Sequence, residues 1–153
     1  MDFKKEIDKV QKDTSIMLLP GIIGELEELE YAMVALNNSQ ASTEVKIERA
    51  KRYARDTFGS IYLSIEKLDE GRVKGLGDTL SAKNSDYGNS FDRGIDLYGV
   101  PGMALRISDK LHRMRTLTKN MTTPRVDESL SDTAVDALGY LVLIFTYSPT
   151  GTR

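Results

Sequence analysis

The sequence predicts an all-α protein, and three observations favour that class. Apolar residues recur at steps of three and four over several long stretches, as they do on one face of an α-helix. No stretch of the 153 residues alternates convincingly between apolar and polar positions, and no internal repeat is visible. Seven of the 12 glycines fall between Gly71 and Gly102, which is typical of short helices joined by tight turns. We therefore expect one helical domain, with N-terminal helices over residues 1–70 and a motif-bearing core over residues 71–147.

The N-terminal region predicts two helices separated by the Pro20-Gly21 pair. A short first helix is indicated by three apolar residues one turn apart, Phe3, Ile7 and Val10. Since proline removes a backbone donor and glycine favours a turn, this helix is expected to end before Pro20. The second helix is amphipathic, and its apolar face consists of Ile22, Leu26, Leu29, Met33 and Leu36.

The next helix is the most regular in the chain. Ser42 or Thr43 is positioned to cap its N-terminus, and Glu44 lies where the helix dipole favours a carboxylate. Its apolar stripe is continuous and consists of Ile47, Ala50, Ala54, Phe58, Ile61, Ile65 and Leu68. Small helical domains often complete their core across a two-fold axis, so we expect a homo-oligomer with this stripe as its interface.

Two long helices are predicted after the glycine-rich segment. One follows Pro101-Gly102, is about 16 residues long, and has the apolar face Met103, Ile107, Leu111 and Met114. The last helix is expected to have Asp127 as its N-cap. Its inward positions are Leu130, Ala134, Ala137, Leu138, Leu141 and Ile144.

The composition narrows the classes of function. A formal net charge of -2 gives no global attraction to nucleic acid or to an anionic membrane, so neither is expected as a partner. The chain has no cysteine, which excludes disulfides, thiolate zinc sites and cysteine nucleophiles. The N-terminus lacks the apolar core of a signal peptide, and the most apolar run, residues 137–147, is shorter than the roughly 20 residues of a membrane span. A cytoplasmic protein is expected.

A basic stripe follows the apolar face of the helix after Pro101. Its members are Arg106, Lys110 and Arg113, which share one face because they lie three and four residues apart. Cations at the edge of a core are partly desolvated and bind phosphate oxygens more strongly than exposed ones. The alternative is a solvated helix face with an internal Asp109–Arg113 pair, which stabilises a helix by only about 0.3–0.5 kcal/mol.

An acidic stripe of Glu128, Asp132 and Asp136 lies on one face of the last helix. The helix dipole favours Glu128 near the N-terminus but gives the two aspartates little, and aspartate is a poor residue inside a helix. The pair therefore indicates partly buried carboxylates, whose oxygen atoms suit Mg²⁺ or Mn²⁺. The alternative is a network of ion pairs with the basic stripe.

A third element is the segment Lys83-Asn84-Ser85-Asp86-Tyr87-Gly88. Lys83, Asp86 and Tyr87 could supply a phosphate contact, a metal or ribose contact, and a ring that stacks on a base. A capped turn would explain the same residues.

Two other features are interpreted as exposed helix faces. One is the set of four acids in GELEELE (Glu25 to Glu30), which could also present two metal ligands. The other is the single histidine, His112.

From Lys83 to Tyr140 the chain resembles a phage-associated family, the helical nucleotide-modification-associated domain. The resemblance rests on Lys-x-x-Asp-Tyr-Gly, then Asp-Lys-x-x-Arg, then Glu-Ser-x-x-Asp-x-x-x-Asp-x-x-x-Tyr, and it covers somewhat over a third of the chain. That family is linked to nucleotide metabolism. It is similar to the all-α, MazG-like nucleoside triphosphate pyrophosphatases, which are helical oligomers and split the α–β phosphate bond with carboxylate-bound Mg²⁺.

The resemblance implies a MazG-like helical bundle with extra N-terminal helices, and a Mg²⁺-dependent nucleotide pyrophosphohydrolase in the (host) cytoplasm. Its implied metal ligands and catalytic residues are Glu128, Asp132 and Asp136. Its implied nucleotide-binding residues are Lys83, Asp86, Tyr87, Lys110, Arg113 and Tyr140. The last motif of the pyrophosphatases is Glu-x-x-Asp, whereas the acids here are four residues apart. A non-catalytic nucleotide-binding protein, such as a phage factor that sequesters a nucleotide signal, is therefore the alternative, and a purely structural helical module is a third.

Overall fold

The computed structural model describes the backbone of residues 2–87, 89–119 and 128–149, and their side chains apart from those of residues 11–16, 84–87 and 128. Within these ranges the chain forms α-helices and no strand, which confirms the all-α prediction. The helices are α1 (Phe3–Asn37), α2 (Thr43–Leu68), α3 (Glu70–Lys74), α4 (Leu76–Tyr87), α5 (Ser90–Tyr98), α6 (Val100–Lys119) and α7 (Glu128–Phe145). None of the described helices combines the length and apolarity that a membrane crossing requires.

Helix α1 is continuous through Pro20-Gly21, so the prediction of two separate helices is wrong. Proline removes one N–H donor, but Pro20 is exposed, and water can satisfy the carbonyl that loses its partner. The residues that follow, including Ile22 and Leu26, are buried against α2 and α6. This packing stabilises the helical conformation on the C-terminal side of Pro20. At the N-terminus, the backbone N–H of Lys5 donates to the Asp2 carboxylate at 3.2 Å.

Helix α2 is capped as predicted, since the backbone N–H of Val45 donates to Ser42 Oγ at 3.3 Å. Its apolar stripe packs against α1 and α7 of the same chain. Ala50, Ala54, Ile61 and Ile65 are buried there. The prediction that this stripe is the interface between copies is therefore wrong, because its residues already form the core of one copy.

The glycine-rich segment folds into helices α3, α4 and α5, as predicted. Gly75 follows the single turn of α3, and Gly99 ends α5 with φ at 69°, a left-handed conformation that glycine adopts without strain. Lys74 Nζ donates to the Glu70 carboxylate at 2.5 Å across the turn of α3. This hydrogen bond, with the attraction of the two charges, lowers the pKa of Glu70 and raises the pKa of Lys74.

Helices α6 and α7 complete one hydrophobic core with α1 and α2. Helix α6 is 20 residues long, somewhat longer than predicted, and its predicted apolar face is buried. The six predicted inward positions of α7 are buried as well. The predicted cap of α7, Asp127, lies outside the described residues.

Gly102→Ala is expected to lower the free energy of unfolding by about 1–3 kcal/mol, the cost of overpacking. A Cβ atom at Gly102 would lie 2.8 Å from the backbone oxygen of Gly94, so α5 and α6 would have to separate. Gly59→Ala in α2 is the matched control. Nothing lies within 4 Å of a Cβ atom there, and the substitution should stabilise by about 0.5–1 kcal/mol. Urea denaturation measures the change in the free energy of unfolding for both variants. Equal changes would contradict the close approach of α5 and α6 at Gly102.

Candidate functional site

A cavity of about 930 Å³ opens between α3 and α4 on one side and α6 and α7 on the other. We call it the cationic cavity, because four of its lining residues carry positive charge. These are Arg72 on α3, Lys83 on α4, and Arg106 and Lys110 on α6. The only lining carboxylates among the described side chains are Asp132 and Asp136 on α7.

Lys110 contacts both an acid and an aromatic ring of α7. Its Nζ is 3.5 Å from the Asp136 carboxylate and 5.7 Å from the centroid of the Tyr140 ring. The side chain is 24% exposed, because Ile107 and Leu111, which flank it on α6, are buried in the core. A cation in this position is partly desolvated but still open to the cavity, as predicted for a residue at the edge of the core.

The ring of Tyr140 contacts two cations of the basic stripe. The guanidinium of Arg106 lies 6.0 Å from the ring centroid, and Lys110, which lies 5.7 Å from it, occupies the next turn of α6. A positive charge within about 6 Å of an aromatic face is attracted by the ring. Phe91 packs against the same ring at a centroid distance of 5.9 Å and an interplanar angle of 36°. The ring is thus held by α5 and in turn positions both cations.

The two described acids of the acidic stripe both contact cations. Asp132 forms an ion pair with the Arg72 guanidinium, whose Nε also lies 3.4 Å from the Asp69 carboxylate. Asp136 faces Lys110. The side chain of Glu128 lies outside the described residues, as do those of Asp86 and Tyr87. Among the side chains that are described, no three acidic or histidine groups lie together as metal ligands would.

The pairing of Asp136 with Lys110 links the acidic stripe to the basic stripe, as the ion-pair alternative predicts. The pairing of Asp132 with Arg72 instead links α7 to α3. Both carboxylates remain about two-fifths exposed on the cavity wall. Two carboxylates one turn apart could contribute to a Mg²⁺ site, but there the metal would compete with two cations.

The structure brings together part of the predicted nucleotide-binding set. Lys83, Lys110 and Tyr140 line the cationic cavity. Arg113 does not line it, and its Nε donates to Thr133 Oγ1 at 3.2 Å, which ties α6 to α7. The backbone from Lys83 to Tyr87 forms the C-terminal end of α4, and Gly88, which the capped-turn alternative requires, lies outside the described residues.

Sequence reasoning missed Arg72 and Phe91, which line the cavity beside the predicted residues. A signal for Arg72 was present, because it lies in the segment Gly71-Arg-Val-Lys-Gly75, whose two glycines also line the cavity. The glycine content predicted short helices and tight turns here. It did not show which side chain would turn toward α7.

The acidic segment GELEELE and His112 lie away from the cationic cavity. Glu27 of the segment GELEELE forms an ion pair with Arg115 of α6 at 3.2 Å. Glu27, Glu28 and Glu30 line a separate groove between α1 and α6. His112 is exposed on α6, as predicted. Neither feature contributes to the cationic cavity.

Comparison with known proteins found no match of any kind: no protein-family model, no curated protein and no solved structure matches the chain. The resemblance to the phage-associated domain and to the MazG-like pyrophosphatases therefore stays a prediction, which rests on the residues between Lys83 and Tyr140.

Proposed function

We propose that the protein binds a nucleotide in the cationic cavity. The observation that carries this proposal is the convergence of Arg72, Lys83, Arg106 and Lys110 around one cavity that also has an apolar wall. Among the described side chains of the lining, four cations face two carboxylates, a positive excess, although the whole chain has a formal net charge of -2. Such an excess favours an anionic ligand.

The phosphates would lie on the α6 side. Arg106 and Lys110 are adjacent on one helix face, are positioned by the same ring, and can donate to oxygen atoms of one phosphate group. Lys83 and Arg72 on the opposite side of the cavity would contact further phosphate oxygens. Tyr140 serves in this arrangement as a positioning residue for cations.

The base would lie against the apolar part of the lining. This part consists of Leu76, Leu80, Phe91, Val135 and Leu143. At Gly139 a Cβ atom would lie 3.3 Å from Leu80, so the glycine lets α4 approach α7 closely. A volume of about 930 Å³ falls in the range of about 300–1,000 Å³ that is usual for small-molecule sites. A mixed charged and apolar cavity suits a nucleotide better than it suits inorganic phosphate.

A thermal-shift panel tests the proposal. At about 100 times the dissociation constant, a nucleotide stabilises the fold by about 2.7 kcal/mol, which corresponds to a rise in Tm of about 5–10 °C. We expect this rise with nucleoside di- or triphosphates, and little with the free nucleoside or inorganic phosphate. Equal shifts with nucleoside and nucleotide would contradict a role for the four cations.

Metal-dependent hydrolysis is the second candidate, with a MazG-like helical bundle as its fold. The observation that favours it is the position of Asp132 and Asp136, one turn apart on the cavity wall. With Glu128, and with Asp86 from α4, they would hold Mg²⁺ or Mn²⁺. The metal would neutralise phosphate charge and activate water for attack. Release of pyrophosphate or monophosphate from a nucleoside triphosphate with Mg²⁺ would establish turnover.

Asp136→Asn distinguishes the two candidates. Without a divalent metal, we expect the variant to bind a nucleoside triphosphate up to about fivefold more tightly, because the amide no longer competes for Lys110. The range follows from the about 0.2–1 kcal/mol that a partly exposed ion pair contributes. Asp109→Asn, at an exposed position of α6 outside the cavity, is the control. Tighter binding of the nucleoside triphosphate by Asp136→Asn supports recognition without a metal. Weaker Mg²⁺-dependent binding by this variant, together with a loss of turnover, would favour a metal site.

A further inference from the structure

Two cations of the cationic cavity are held one turn apart along α7. Arg72 forms an ion pair with Asp132, and Lys110 Nζ lies 3.5 Å from the carboxylate of Asp136. The two acids are four residues apart, so they lie on the same face of the helix and about 6 Å apart along its axis. Each carboxylate marks a place where the cavity wall holds an anionic group, and a full helix turn separates the two places.

Arg72 is held beside the N-terminal half of α7 by a second acid, Asp69. The Asp69 carboxylate accepts a hydrogen bond from the backbone N–H of Arg72 at 3.2 Å and lies 3.4 Å from its Nε. The same carboxylate accepts a hydrogen bond from Ser131 Oγ at 3.1 Å, which ties it to α7 directly beside Asp132. We call Arg72 with these two acids the α3 subsite. Its position is fixed by contacts from two helices.

The α6 subsite, which consists of Arg106 and Lys110, extends in the opposite direction along α7. Both cations lie within 6.0 Å of the centroid of the Tyr140 ring, and Tyr140 is one further turn beyond Asp136. From Asp132 to Tyr140 the two subsites together follow α7 over about 12 Å. Phosphates that share bridging oxygens form a run that is shorter than this row of cations.

An apolar residue, Val135, lies in the sequence between the two acids. It lines the cavity and is 7% exposed. An uncharged part of a ligand fits against such a surface, and the sugar of a nucleotide is such a part. The cavity volume of about 930 Å³ is near the upper end of the range of about 300–1,000 Å³ for small-molecule sites. This volume leaves room for a sugar and a base beside two phosphates.

Given that the cavity binds a nucleotide, as proposed, we infer that this nucleotide carries two separate phosphate groups, one on each side of its ribose. In a nucleoside 5′-diphosphate the phosphorus atoms share a bridging oxygen and lie closer together than one helix turn, so only one subsite is filled. In a nucleoside 3′,5′-bisphosphate the ribose separates the phosphates. One phosphate then contacts Arg72, and the other contacts Arg106 and Lys110.

Two isomeric ligands test this ligand class. Adenosine 3′,5′-bisphosphate and adenosine 5′-diphosphate have the same atoms and differ only in where the second phosphate is attached. In calorimetric titration of the wild-type protein with a metal chelator, we expect the bisphosphate to bind at least about tenfold more tightly, the effect of one additional charge-assisted contact. The guanosine, cytidine and uridine pairs extend the comparison to the other bases.

The outcomes of this comparison separate the two proposals. Binding of the diphosphate that equals or exceeds that of the bisphosphate, for every base that binds, would overturn the ligand with two separate phosphates and leave nucleotide binding intact. Absence of binding for both isomers of all four bases would overturn both.

Arg72→Met separates the spacing of the phosphates from the total charge of the ligand. The affinity for the bisphosphate should fall about tenfold, and that for the diphosphate by no more than about twofold, because the α6 subsite alone holds the diphosphate. Asp132 is 42% exposed, so water can solvate it in this variant. Arg93→Met, exposed on α5 and outside the cavity lining, is the matched control and should leave both affinities within about twofold. Equal losses for the two isomers in Arg72→Met would overturn the α3 subsite.

A 5′-phosphorylated dinucleotide distinguishes two sources of the same chemistry. It carries the same pair of phosphates around its first ribose, followed by a second nucleoside. Tighter binding of the dinucleotide than of the bisphosphate would identify the 5′ end of a short single strand as the ligand, and weaker binding would identify a mononucleotide. Either result supports two separate subsites, provided that the ligand identified binds more tightly than the 5′-diphosphate. Binding of both ligands no tighter than the 5′-diphosphate would overturn them.

Discussion

Lys110→Met is expected to weaken nucleotide binding by about 10- to 100-fold while leaving the fold intact. A hydrogen bond to a charged group contributes about 1.5–3 kcal/mol, and each 1.4 kcal/mol is a tenfold change in affinity. Methionine keeps most of the length of the lysine stem, so packing beside Tyr140 is preserved. Asp136 loses its partner but is 43% exposed, and water can solvate it. Calorimetric titration with a nucleoside triphosphate measures the loss.

Lys119→Met is the matched control for this prediction. It removes the same charge from the same helix at an exposed position that does not line the cationic cavity. Its affinity should stay within about twofold of the wild type, since a distant exposed charge is screened by salt. An equal loss in both variants would show that only the net charge matters. An unchanged nucleotide affinity of Lys110→Met would contradict the proposed contact between α6 and the phosphates.

Leu138→Ala should have the largest effect on stability, with a decrease of about 2–5 kcal/mol in the free energy of unfolding. Leu138 is fully buried on α7, the helix that carries Asp132, Asp136 and Tyr140 to the cavity. Truncation leaves a void beneath that helix because the surrounding helices relax only partly. Urea denaturation, with the slope checked for two-state behaviour, measures the change.

Leu97→Ala is the control for the core substitution. Leu97 is 62% exposed on α5, so its truncation should change the free energy of unfolding by no more than about 0.5 kcal/mol. Near-equal values for Leu97 and Leu138 would contradict the position of α7 in the core.

The core faces of the long helices could be predicted from the sequence, because a stripe of apolar residues at helical spacing has few other uses. The inward positions of α6 and α7 and the Ser42 cap of α2 were predicted correctly. The Pro20 break was not, because the cost of one proline is local whereas the packing of Ile22 and Leu26 on other helices is not visible in the sequence. The same limit applies to the α2 stripe, because the sequence does not show whether an apolar stripe packs within one copy or between two.

Part of the candidate site could be predicted from helical spacing. Helical spacing placed Lys110 and Asp136 on the exposed edges of α6 and α7, and the structure brings these edges within 3.5 Å. The glycines beside Arg72 marked its segment, but its contact with Asp132 could not be predicted, since that contact depends on where α3 lies relative to α7. The separation of Arg113 from the cavity likewise depends on the rotation of α6, which Thr133 helps to fix.

We propose above all that the cationic cavity binds a nucleotide through its phosphates. Calorimetric titration of the wild-type protein with a nucleoside triphosphate, in the presence of a metal chelator and at low salt, tests this claim most directly. We predict saturable binding with about one site per chain, weakened by added salt and undetectable for the corresponding nucleoside. Absence of binding to any nucleoside triphosphate, or equal binding of the uncharged nucleoside, would contradict it.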